Sequence, residues 1–112
     1  MDIADWRKKI DEIDRQIIRS INERAKCAQE IGKLKRSTDM PIYEPDRERI
    51  IFENVRRENQ GPLPDLEVIH IYERIIDVMR KLQKEEIVAP GKKAEAGDAP
   101  ASGTEFDIEV NE

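Results

Sequence analysis

Three cations stand where a packing helix would carry apolar side chains. From Ile3 to Leu34 the apolar residues recur every three to four positions, as on one long helix. Heptad spacing gives two seams: Ile3, Ile10, Ile17, Arg24 and Ile31, and Trp6, Ile13, Ser20, Cys27 and Leu34. Arg24 falls in the middle of the first. Arg7 and Lys35 lie just beside the seams, at the heptad position shared by Ile21 and Ala28. An unpaired buried charge costs on the order of several kcal/mol. The three cations therefore ask for an anionic partner within the core.

Their spacing limits what that partner can be. Arg24 and Lys35 are eleven residues apart, so their Cα atoms are separated by ~16 Å with a phase difference of only about 20°. Two side chains reaching ~6–7 Å can close on opposite ends of one small molecule. Arg7 precedes Arg24 by seventeen residues, ~25 Å along a rigid rod. It cannot share that molecule within its own chain. If all three cations serve one ligand, the spacing predicts an antiparallel dimer with two shared sites.

Two further polar residues point inward. Glu48 lies on the side of Ile51, Phe52 and Val55, and Gln83 follows Met79 by one helical turn on an apolar face. A buried amide needs a hydrogen-bond partner. Structural readings stand beside the functional one. Arg24 can pair with Glu48, Lys35 and Arg7 can snorkel to solvent, and Gln83 can bond a helix terminus. The ligand-site reading gains from having three cations, one acid and one amide spread over three helices.

The elements that must position these residues follow from the pattern. The first helix is expected from about Ile3 to Arg36, started by Asp2 or Asp5 and interrupted by no proline. Ser37–Pro41 reads as a loop. Pro45 suits a first helical position, giving a short helix from about Pro45 to Glu58 with Ile50, Ile51 and Val55 inward. Asn59–Pro64 is a second break. Asp65 is expected to cap a third helix from about Leu66 to Glu86, with Leu66, Ile69, Tyr72, Ile75, Ile76, Met79 and Leu82 on its apolar face. The fold class is all-α, with one long, one short and one medium helix.

With 112 residues, 40% of them charged and only five aromatic, the chain suits one small domain with a thin core. Dimerisation is the expected remedy. Residues 1–90 carry 18 basic and 19 acidic residues, against 2 and 6 in 91–112. A nearly neutral domain, 1–89, thus precedes an acidic segment, 90–112, whose composition reads as a disordered tail. Phe106–Val110 alternates apolar and acidic residues; a solvated end is favoured there over a docking strand. Nothing resembles the basic stripe of a nucleic-acid binder. No apolar run can span a membrane and no signal peptide is evident, so a cytoplasmic protein is expected. Cys27, the single cysteine, is expected as a small core residue, and His70, the single histidine, on a helix surface.

Trp6–Asp14, then Ile21-Asn22-Glu23-Arg24, then Ile31-Gly32-Lys33-Leu34-Lys35, resemble the first helix of the all-helical (AroQ-type) chorismate mutases. Pro41–Glu48 is similar to that family's loop and second-helix start, and Arg80-Lys81-Leu82-Gln83 to its third helix. The likeness spans about residues 4–86. It implies a helix-swapped homodimer that isomerises chorismate to prephenate for Phe and Tyr biosynthesis, without metal or cofactor. The family's roles fall on matching positions. Arg24, and Arg7 from the partner chain, hold the substrate carboxylates. Lys35 and Gln83 donate to the ether oxygen, and Glu48 with the backbone around Glu44 takes the ring hydroxyl. Arg47 supports the carboxylate end or orders Glu48. The chain departs from the family in two places: Met79 stands where serine is frequent, and Glu44 where aspartate is frequent.

The chemistry suits these residues. A [3,3] shift moves no proton and needs no nucleophile. The site must select a compact conformer of a flexible dianion and stabilise charge growing on the ether oxygen. Isochorismate pyruvate lyase, with the same fold and cations, is the nearest rival. A non-catalytic dimerisation module is the rival from another class. A partner-activated mutase docking on a shikimate-pathway enzyme is a third reading. Glutamine at position 83 donates at any pH, whereas glutamate would have to be protonated. The expected kcat is therefore roughly flat from about pH 5 to 8; a steep loss above about pH 6 removes Gln83 from this role.

Overall fold

The computed structural model describes residues 1–88, which form three helices: α1 (Ile3–Thr38), α2 (Pro45–Glu58) and α3 (Asp65–Val88). The tail expected at 90–112, with Phe106–Val110, lies outside the described residues. No strand occurs among the described residues. α3 packs against both α1 and α2. The longest dimension, 53 Å, is nearly the length of α1 alone, since 36 residues rise ~54 Å.

Local chemistry sets the helix ends. Asp2 and Asp5 form a reciprocal capping box: the Asp5 N–H donates to Asp2 Oδ1 and the Asp2 N–H to Asp5 Oδ2, each at 3.0 Å. Both aspartates proposed for this end thus serve it. At the other end Asp39 takes a left-handed conformation, φ 62°, which Asp tolerates better than most residues. The Lys35 carbonyl accepts from the N–H groups of Asp39 and Met40, and the chain folds back toward its own last turn. α2 starts at Pro45 as expected. For α3 the expectation shifts by one residue. The Pro64 carbonyl accepts from Glu67 and Val68, and Asp65 is the first helical residue, its carboxylate held by Asn59 Nδ2 at 2.7 Å.

The core is small: Ala28, Val55, Ile69, Ile76 and Met79 are its buried apolar residues. α1 meets α3 along Ala28, Gly32 and Lys35, a flank beside the two seams rather than the seams themselves. The seam residues Ile3, Trp6, Ile10, Ile13, Ile17, Ile31 and Leu34 are exposed, Trp6 to 56%. Cys27 is exposed too, contrary to its expected core position, because its face of α1 has no neighbour among the described residues. Ile50 and Leu66, expected inward, also point outward, with no described element covering them. His70 lies on the surface as expected.

Gly32 sets how closely the two long helices approach. A Cβ there would lie 3.0 Å from the Cα of Gln83, 3.1 Å from Glu86 Cβ and 3.2 Å from the Gln83 carbonyl oxygen. Backbone atoms cannot yield as a flexible side chain does, so any larger residue pushes α3 away. The expected cost of Gly32→Ala is about 1–3 kcal/mol, read as a lower urea midpoint, with Gly32→Val worse. An unchanged midpoint for both variants contradicts the tight crossing.

Candidate active site

The close crossing of Gly32 with Gln83 brings the Gln83 side chain beside a residue one turn away on α1. Lys35, one turn further along α1, is 5% exposed although charged. Its three N–H groups need three acceptors, and three surround it. Nζ donates to the Ile42 carbonyl at 3.1 Å and to Gln83 Oε1 at 3.0 Å, and meets Glu44 Oε2 at 2.6 Å. Glu44 precedes α2 in the capping position, yet its side chain makes no capping hydrogen bond, because its carboxylate is turned to Lys35.

This contact fixes the Gln83 amide. An ammonium has donors only, so it selects the amide oxygen, and the NH2 group must face the other way. Gln83 lines a cleft of about 70 Å³ together with Arg24, Glu44, Glu48, Ile76, Met79 and others. The amide therefore presents a donor to a cleft that also holds two cations, Arg24 and Arg80, and two carboxylates. Arg24 is half-buried and makes no ion pair among the described residues. The alternative reading, a structural pair with Glu48, does not form, since Glu48 Oε2 lies 3.1 Å from Arg80 Nε instead. Arg24 and Ile51 also line a neighbouring groove of about 400 Å³ with Arg47, Asn54 and Tyr72.

Of the residues expected at one site, five converge: Arg24, Lys35, Glu44, Glu48 and Gln83. Lys35 does not line the cleft directly but sits behind Glu44 and Gln83. Arg47 is exposed and lines the wider groove beside Arg24; its expected partner Glu48 is held by Arg80. Arg7 is exposed on the unaccompanied half of α1, ~42 Å along the helix from Lys35, and joins no site within its chain. Met79 is buried in the cleft wall, so an apolar thioether occupies the place where a hydroxyl is frequent. Sequence reasoning missed two contributors. The Ile42 carbonyl carries no side-chain signal. Arg80 precedes Gln83 by three residues, which puts it on the same side of a helix, and that spacing was its available signal.

Comparison with known proteins finds similar chains. The family model described as chorismate mutase type II matches residues 6–84. The bifunctional chorismate mutase/prephenate dehydratase of Aquifex aeolicus is 42% identical over 92 residues, covering 79% of this chain and 25% of that protein. This chain thus spans about a quarter of that relative. The chorismate mutase of Methanocaldococcus jannaschii is 34% identical over 84 residues, covering 74% of this chain and 85% of that protein. Among solved structures, chorismate mutase form II from Thermus thermophilus superimposes with a TM-score of 0.72 at 33% identity, covering 73% of this chain and 93% of that one.

The two cations differ in what they do for folding. Lys35 satisfies three groups from other segments, and Arg24 satisfies none by ion pairing. Lys35→Met is expected to lower stability by about 1–3 kcal/mol, whereas Arg24→Leu leaves stability unchanged or raises it. Urea denaturation of the two variants compares them. A loss at Arg24 equal to that at Lys35 makes Arg24 a structural residue.

Proposed function

The chain belongs to the type II chorismate mutases, and on that premise we propose that it rearranges chorismate to prephenate in this cleft. The observation that carries the reading is the Lys35–Gln83 contact, which aims an amide donor into a cleft with an unspent arginine. In the proposed complex Arg24 takes a substrate carboxylate. The Gln83 NH2 group donates to the ether oxygen, where negative charge grows as the C–O bond lengthens. Glu48 accepts from the ring hydroxyl, and Arg47 supports the carboxylate end from the wider groove.

Lys35 requires one rearrangement. Its donors are all occupied, so it reaches the substrate only by releasing an acceptor. Glu44 is the one that can leave, being 36% exposed at the side chain, whereas the Ile42 carbonyl belongs to the loop backbone. An anionic substrate then replaces one carboxylate with another beside the ammonium, so the exchange leaves no buried charge unpaired.

We further propose that the site is completed by a second copy of the chain. The exposed seam from Ile3 to Ile21 is a contiguous apolar surface of the kind that marks an interaction site. An antiparallel partner lays its own α1 there and brings its Arg7 to the Arg24–Lys35 stretch. Helix exchange of this sort accounts for a long α1 half of which packs on nothing among the described residues. The cytoplasm is the proposed compartment; no described helix is long and apolar enough to cross a membrane. Relatives in which this domain is joined to prephenate dehydratase support a place in aromatic amino acid biosynthesis. Glu48 in the cleft, set to meet a hydroxyl, favours the mutase over an isochorismate lyase. The unspent Arg24 favours an enzyme over a mere dimerisation module.

Loss of chorismate absorbance with prephenate formation tests the activity, with isochorismate assayed beside it. Lys35→Ala and Arg7→Ala are each expected to lose activity, Lys35→Ala by more than about 10³-fold in kcat/KM. Refolded together in equal amounts they recover about a quarter of wild-type activity, because each mixed dimer keeps one intact site. No recovery on mixing removes Arg7 from the partner's site, and near-normal turnover by Lys35→Ala removes Lys35.

A further inference from the structure

The cleft places Glu48 and Arg24 in one small space, where opposite charges attract strongly at low dielectric. Left to themselves they would neutralise one another, and the anion site would vanish. Glu48 pairs elsewhere. The Arg80 guanidinium lies with Nε 3.1 Å from Glu48 Oε2. On its far side Nη2 donates to Asp77 Oδ1 at 2.9 Å, and its plane sits over the Tyr43 ring, 5.5 Å from the centroid. Arg80 is thus gripped from three directions: by its own helix, by the loop before α2 and by the acid on α2. Glu48, 18% exposed, is the more sheltered partner of the pair, against 38% for Arg80.

The contact with Glu48 is an ion pair rather than an aligned hydrogen bond. Arg80 Nε is buried and has no hydrogen-bond acceptor in line with its N–H. Charge alone therefore holds the carboxylate on the Arg80 side. That leaves a lone pair of Glu48 available to a hydroxyl without tying the acid rigidly to one oxygen position. Arg47, its neighbour in sequence, is exposed and makes no ion pair with it among the described residues.

Resting on the chorismate mutase reading, we infer that Arg80 is a positioning residue that acts through Glu48. It draws the carboxylate away from Arg24, which keeps the Arg24 charge free for the substrate and holds Glu48 where the ring hydroxyl arrives. Arg80 itself lines the cleft, and the role inferred for it runs through Glu48; a direct contact with the substrate would be lost equally in the presence and absence of the Glu48 carboxylate. Its removal lets Glu48 swing to Arg24, so the defect falls chiefly on KM for a dianion.

A double-mutant cycle tests this, with wild type, Arg80→Met, Glu48→Gln and the double variant assayed on chorismate. In the wild-type background Arg80→Met raises KM by about ten-fold or more, while in the Glu48→Gln background it changes KM by less than about two-fold. Arg80→Lys, which keeps the charge without the planar fork, recovers most of the lost affinity. A purely structural Arg80 produces equal losses in both backgrounds, and that result overturns the inference. So does a change of less than about two-fold in the wild-type background. If Arg80→Met does not fold, Arg80→Gln and Arg80→Lys carry the same comparison. A wild-type protein without chorismate turnover brings down the functional reading and the inference with it; an active wild type without coupling brings down the inference alone.

Discussion

A buried ammonium must satisfy three N–H groups, and Lys35 does so with the loop carbonyl of Ile42, the carboxylate at the start of α2 and the amide of α3. One side chain therefore ties four segments of the chain to one point. The geometry around it follows from this requirement. The left-handed Asp39 turns the chain so that Ile42 can return. Glu44 gives up a capping hydrogen bond to reach the cation. Gly32, one turn earlier, admits α3 to backbone contact so that Gln83 can come within 3.0 Å. A side chain at Gly32 would separate the very helices whose proximity the ammonium needs.

The same contact divides polar groups between structure and chemistry. Because Lys35 claims the oxygen of Gln83, the NH2 group is left for the cleft. Because Arg80 claims Glu48, Arg24 keeps its charge. A pericyclic rearrangement requires no proton transfer, so fixed donors and charges suffice, provided they are already in place when charge develops. In the proposed complex the cleft owes its preorganisation to Lys35 behind it and Arg80 in its wall, which leave Arg24 and the Gln83 NH2 group unspent.

The N-terminal half of α1 is under a different constraint. Its seams are as apolar as those of a coiled coil, yet they are bare among the described residues. α2 and α3 are too short and too few to cover a 36-residue helix. A small core beside a long apolar stripe leaves that stripe open to interaction among the described residues. The exposure of Cys27 has the same origin.

The helices were legible in the sequence because their signals are local: period, proline at a first turn, aspartates at the cap and in the first turn. α2 has the bounds read from sequence, and α1 extends two residues beyond. The inward placement of Lys35, Glu48 and Gln83 was legible from helical phase. Phase does not say which flank of a helix meets which neighbour, and the α1–α3 contact runs beside the seams rather than along them. Ile50, Leu66 and Cys27 were misplaced for that reason, each being apolar in pattern but without a facing element. The partner of Glu48 was likewise hidden: Arg24, Arg47 and Arg80 all carry the right charge, and only the packing of α2 on α3 brings Arg80 to it. The sequence by itself determined the elements, the family resemblance and the set of polar residues that turn inward. Only the tertiary structure decided how those residues pair, because pairing depends on distances between helices that no periodicity along one helix can encode.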